Sequence, residues 1–190
     1  NSIKKGTTIR QIEKAIESHP GRRYGLKQAL DFCLLKENDV INIGGYSFRC
    51  IETPGHSPGH MCLYEANKKI LVSGDHILHD ITPNITFWLQ MENPLKEYLA
   101  SLEKIYALDV KLVLPGHRSI WYDHRKRIKE LQRHHRDRLN EIISALRRGE
   151  KTAFQIAPDV TWDVDYGSWE KFPVSQKLFA VGETLAHLGY

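Results

Sequence analysis

The period of the apolar positions changes along this chain, and each change marks a change of element. Residues 7–18 set Ile9, Ile12, Ala15 and Ile16 at helical spacing behind Thr7 or Thr8 as a cap, and residues 25–35 repeat the pattern less cleanly. Two short helices are predicted there. "DVINIGGYSFRCIET" then carries two alternating runs around Gly44-Gly45, with Tyr46, Phe48 and Cys50 on one face, the signature of a hairpin. "HMCLYEANKKILVSGD" repeats the design with a turn near Asn67, so a sheet is predicted over residues 39–74. Asn93-Pro94 is a cap followed by proline at the first helical position, and Leu95, Tyr98, Leu99, Leu102, Ile105 and Tyr106 form the stripe of a helix over 94–107. "VKLVL", residues 110–114, is a short unbroken apolar run ending at Pro115-Gly116, as expected of a buried strand. Beyond it the chain reads as helical: a long basic helix over 123–148, a short one after Lys151-Thr152, and a last one over 174–188. The pattern divides the chain into a mixed part, 1–120, and a helical tail, 121–190.

With 190 residues, 41% of them hydrophobic and 9% aromatic, the chain is long and apolar enough for a packed core. Cys33, Cys50 and Cys62 form no CxxC or paired pattern, which points to buried thiols of a reducing compartment and a cytoplasmic setting. No apolar run approaches the ~18 residues of a membrane span, and no association with a membrane is expected. The net charge of +4 lies in one segment: from Asp123 to Arg148 nine basic side chains stand against four acidic ones. Lys126, Lys129 and Arg133, with Arg125 and Arg136, could follow a phosphate backbone. The alternative is a solvated helix face partly paired with Glu130 and Asp137.

Three polar residues occupy corresponding places, each just after an apolar strand and inside a glycine-containing turn. They are His56 in "TPGHS", Asp75 in "VSGDH" and His117 in "LPGHR". Strand ends hold side chains rigidly while the loops leave room for a substrate. Two imidazoles and one carboxylate suit zinc, manganese or iron, with the carboxylate able to bridge two ions. Such ions lower the pKa of a bound water and polarise the bond it attacks, which favours hydrolysis.

"ETPGHSPGH", "LVSGDH" and "LVLPGH" resemble motifs of the metallo-β-lactamase superfamily. The resemblance implies an αββα sandwich and a metal-dependent hydrolase of a small-molecule ester, thioester or similar bond. Residue by residue, it makes His56 a ligand of a first zinc ion, Asp75 the bridging ligand and His117 a ligand of a second. Iron or manganese are the alternatives, and a metal-activated water, not a side chain, would be the nucleophile. His60 matches a non-ligating histidine of the family. The segment holding His76, His79, Asp80, Asn84, Phe87 and Trp88 would face substrate or support the ligands, or else form an ordinary loop with an aromatic anchor. The tail, with "HHRDRLNEIISALRRGEKTAFQIA" and "FAVGETLAHLGY", is similar to the winged-helix-like tail of a branch containing glyoxalase-II-like hydrolases and a lactamase-like endoribonuclease. The implied fold is therefore α/β (α+β): the carboxy-terminal half of the sandwich, then an all-helical winged-helix-like tail.

The family's H-x-H-x-D-H motif is absent, and His19 is the single histidine before residue 53. Each ion is left with one imidazole and a share of Asp75, fewer than the three or four protein ligands of a tight zinc site. The expectation is a carboxy-terminal portion of a longer hydrolase, inactive by itself. Two other readings stand beside it: an endoribonuclease or nucleic-acid-binding protein using helix 123–148, and a non-catalytic half-protein. A lone half-sandwich would bare an apolar sheet face, so self-association is expected unless an N-terminal portion covers it. Tyr122, Asp123 and His124 read as helix-start residues, and His134-His135 as solvated or packing residues.

Overall fold

The computed structural model of the chain describes residues 31–164 and 166–190. The predicted helix over 7–18 and residues 25–30 of the second lie outside them. Residues 31–35 carry no helix: Phe32, Leu34 and Leu35 are exposed, and without a buried face a short helix has little to hold it.

The strands are β1 (Val40–Ile43), β2 (Tyr46–Glu52), β3 (Met61–Glu65), β4 (Ile70–Gly74) and β5 (Leu112–Pro115), in one sheet of that order. The first four form an antiparallel meander, and β5 lies parallel to β4. A parallel neighbour needs a crossover, and here it contains α1 (Pro94–Tyr106). Asn93 caps α1 by accepting from the Lys96 amide at 3.0 Å, with Pro94 at the start of the helix.

Both faces of the sheet are apolar, which is why its inner strands read as nearly unbroken apolar runs. Ile51, Cys62, Tyr64, Leu71 and Val113 form one core with Leu95, Tyr98, Leu102 and Ile105 of α1. On the other face Cys50, Leu63, Val72 and Leu114 line up across four strands, and the last three are half-buried. Cys50 and Cys62 are buried free thiols, whereas Cys33 is exposed.

The tail is helical, as its pattern predicts. Asp123 caps α2 (His124–Leu146), accepting from the Lys126 amide at 3.1 Å, so Asp123 and His124 do start the helix. Thr152 and Gln155 close a capping box on α3 (Ala153–Ile156). A 3-10 turn, Ala157–Asp159, follows, then another, Trp169–Lys171, and α4 (Val174–Leu188). Ile128 and Leu131 of α2 and Ala186 of α4 join the core beneath the sheet, while Ile142, Ala145, Ile156 and Val160 make a smaller one. Among the described residues no helix is long and apolar enough to cross a membrane.

Candidate metal centre

The "TPGH" turn is shaped by contact with α1. Gly55 has φ +136°, and a Cβ there would lie 2.4 Å from Tyr98 Cβ, so glycine alone lets the turn rest on the helix. Ser101 Oγ donates to Pro54 O at 2.9 Å and pins the same turn. The turn delivers His56, whose Nδ1 is 2.9 Å from Asn84 O. A carbonyl can only accept, so Nδ1 carries a proton, and in the neutral ring Nε2 keeps its lone pair. That lone pair faces Asp75, with Nε2 3.7 Å from Oδ2. At the end of β5, His117 brings its Nε2 to 3.4 Å from the other oxygen, Oδ1.

Each carboxylate oxygen of Asp75 thus faces a different imidazole, and neither distance makes a strong hydrogen bond. Asp75 Oδ1 is buried without a hydrogen-bond donor. For His56 in that neutral form, a lone pair aimed at an anionic oxygen is repulsive unless a cation lies between. The donor set therefore fits metal ions: His56 and Asp75 for one, His117 and Asp75 for another.

The supporting residues are ordered around these three. Asp75 donates its backbone N–H to His60 Nε2 at 3.2 Å, and His60 Nδ1 lies 2.8 Å from Thr53 Oγ1. Both ring nitrogens are used inside the protein, and burial, helped by nearby His56, lowers the His60 pKa to about 4. His60 is thus a neutral clamp between the two turns. His76 is fully buried between the His60 and Tyr98 rings, and burial lowers its pKa to about 3. His79 stacks on Trp121 and pairs with Asp80 at 2.7 Å.

A cavity of about 960 Å³ opens from His56, Asp75 and His117. Leu78, residues 80–84, Arg118, Arg127, His134 and Arg138 wall it, together with Trp162, Phe172 and Phe179 of the tail. Lys126, Lys129 and Arg133 are exposed on α2 and do not line it. Lys129 lies 5.5 Å from the Tyr106 ring, and Arg125 donates to Tyr106 O and Leu108 O.

Of the two expectations for His134 and His135, solvated or packing, His135 takes the packing one. His135 is fully buried and His134 half-buried, and their nitrogens gather with Glu183 within 4.8 Å. His187 Nδ1 donates to Glu183 O at 2.8 Å, which leaves its Nε2 to accept from His135 Nδ1 at 3.1 Å. Arg138 pairs with Glu183 in the same interior. A signal for this cluster was present in the chain: positions 135 and 138 fall on the buried stripe of Ile128, Leu131 and Ile142. Glu183 had no comparable signal.

The sheet thus presents histidine and aspartate from three strand ends to one cavity. Residues 8–117 match the family model of the metallo-beta-lactamase superfamily, and the chain belongs to that superfamily. It is 32% identical over 100 residues to the acyl-coenzyme A thioesterase MBLAC2 of Homo sapiens, covering 50% of this chain and 34% of that protein. It is 29% identical over 111 residues to an atrochrysone carboxyl ACP thioesterase of Aspergillus fumigatus, covering 58% and 33%. A metallo-beta-lactamase family protein of Thermus thermophilus superposes with a TM-score of 0.77 at 31% identity, covering 97% of this chain and 55% of that one. For a beta-lactamase domain protein of Burkholderia ambifaria the values are 0.69, 34%, 84% and 45%. The chain thus spans about a third of these curated relatives and about half of these solved chains.

Proposed function

We propose that this chain supplies the His56–Asp75–His117 part of a two-ion hydrolytic centre acting on a thioester, and that the whole protein supplies the remaining ligands. One observation carries the reading: the two oxygens of Asp75 face two imidazoles at the base of a cavity. Zinc suits the donors, as do iron and manganese, and the ions would activate water and polarise the carbonyl. His56 and His117 hold the ligand geometry from rigid strand ends, while Asp75 joins the two positions.

The thioester is favoured by the names of the relatives and by the cavity wall. Leu78, Ile81, Trp162, Phe172 and Phe179 give an acyl chain an apolar lining. Arg118 beside His117 offers a cation to the phosphates of an acyl carrier. The basic residues Lys126, Lys129 and Arg133 lie outside the cavity, so the small-molecule reading is preferred to the nucleic-acid one.

The test is thiol release from an acyl-coenzyme A, set against a β-lactam and an RNA, by the whole protein with zinc, iron or manganese supplied. Thiol release abolished by D75A supports the reading. Cleavage of RNA or lactam with the thioester untouched overturns it.

A further inference from the structure

We infer that Glu183, in the last helix of the tail, is a positioning residue for His56 and acts through Asn84. The inference rests on reading His56 as a metal ligand. Asn84 is the link because it bonds in two directions: its backbone oxygen holds His56 Nδ1 at 2.9 Å, and its Nδ2 donates to Glu183 Oε2 at 2.8 Å. The partners lie far apart in sequence and meet only in the fold.

Residues 82–88 contain neither helix nor strand, so no backbone ladder holds the segment in place. α4 does so instead. Phe87 N donates to Gly182 O at 3.2 Å, and a Cβ at position 182 would fall 2.2 Å from Thr86 Oγ1, so the helix and the segment are in close contact there. Segment 82–88 in turn grips His56 twice, since Trp88 Nε1 also donates to His56 O at 3.0 Å.

Glu183 is itself immobilised. It is 4% exposed, and its other oxygen pairs with Arg138. Arg138 also donates to Thr161 O at 2.8 Å and lies 4.2 Å over the Trp162 ring. A charge-assisted anchor of this kind is stiffer than a neutral one. An outer partner that orients a ligating imidazole is worth about 10- to 100-fold in metal affinity.

The experiment compares E183A, N84A and E183Q with the parent protein. It follows the His56 Nδ1 proton by long-range 1H–15N NMR, and Zn2+ affinity by competition with a chelator. E183A and N84A are expected to lose the persistent Nδ1–H signal and to bind Zn2+ about tenfold more weakly. E183Q keeps an acceptor for Asn84, so it should retain the signal and near-parent affinity although its Tm falls with the lost ion pair. N84A leaves the Arg138–Glu183 pair intact and decides the matter if E183A does not fold. An unchanged His56 signal in E183A or N84A overturns the inference. So does a signal lost in E183Q in step with Tm, which would mark Glu183 as merely structural. Because the NMR signal is read without turnover, failure of the thioester reading is seen separately.

Discussion

Two groups of histidine and carboxylate lie near the same cavity in opposite physical states. His56, Asp75 and His117 stand at strand ends, partly open to solvent, with one carboxylate and, among the described residues, no Lys or Arg paired to it. His134, His135, His187 and Glu183 lie between two helices, and Arg138 already neutralises their carboxylate. A divalent ion placed in the second group would sit beside a buried guanidinium, whereas in the first it would relieve an unpaired carboxylate oxygen. Residue type is therefore a poor guide to ligation. The charge already present decides it.

Breaking the buried group should show the largest effect. R138M leaves Glu183 buried beside a neutral side chain and is expected to cost about 3–5 kcal/mol in urea denaturation. The double variant R138M/E183M should recover most of it, and a small loss in R138M alone would mean that the pair does not hold the tail.

Acid probes the same group, together with His76 on the far side of Tyr98, by another route. Burial lowers His76 to about 3 and His187 to about 4, and holds His135 well below its usual range. Their unfolded forms take up protons near 6.5, so the stability these neutral rings provide is present above that pH and is lost as pH falls. Burial raises Glu183 to about 7, which has the opposite sign and offsets about one imidazole. Stability is therefore expected to fall as pH drops from roughly 6 to 5, by at least one proton's worth, about 1.4 kcal/mol per pH unit. A flat stability profile over that range would show that these rings are protonated when folded.

The open group should respond to metal rather than to acid. D75A is expected to weaken Zn2+ binding by more than about a hundredfold, beyond the loss usual for an outer partner, with little change in metal-free stability by urea denaturation. Unaltered Zn2+ binding would remove Asp75 from the site. The smallest effect is expected at His79 and Asp80, an exposed pair outside both groups. D80A should move stability by no more than about 0.5 kcal/mol in the same assay.

Much of the fold was legible in order. The helix over 174–188 and the hairpin about Gly44-Gly45 occur as their periodicity predicts, because local spacing and turn chemistry specify such elements. The turns bearing His56, Asp75 and His117 were legible for the same reason, each being a glycine turn after an apolar run. For His135 solvation and packing both stood open, and it packs, since a polar side chain on a buried stripe looks like an exposed one until its partner helix is known. Asn84 was legible only as part of a segment expected near the ligands, and Glu183 gave no signal, because neither residue type at its position is unusual.

The chain by itself determined the elements, the strand-end placement of three donors and the resemblance that membership of the superfamily confirms. Those follow from local chemistry, which neighbours in sequence carry. Only the tertiary structure decided which oxygen of Asp75 meets which imidazole, that the tail walls the cavity, and that α4 reaches the segment holding His56. These are contacts between residues distant along the chain, and their distances are set by how the core packs.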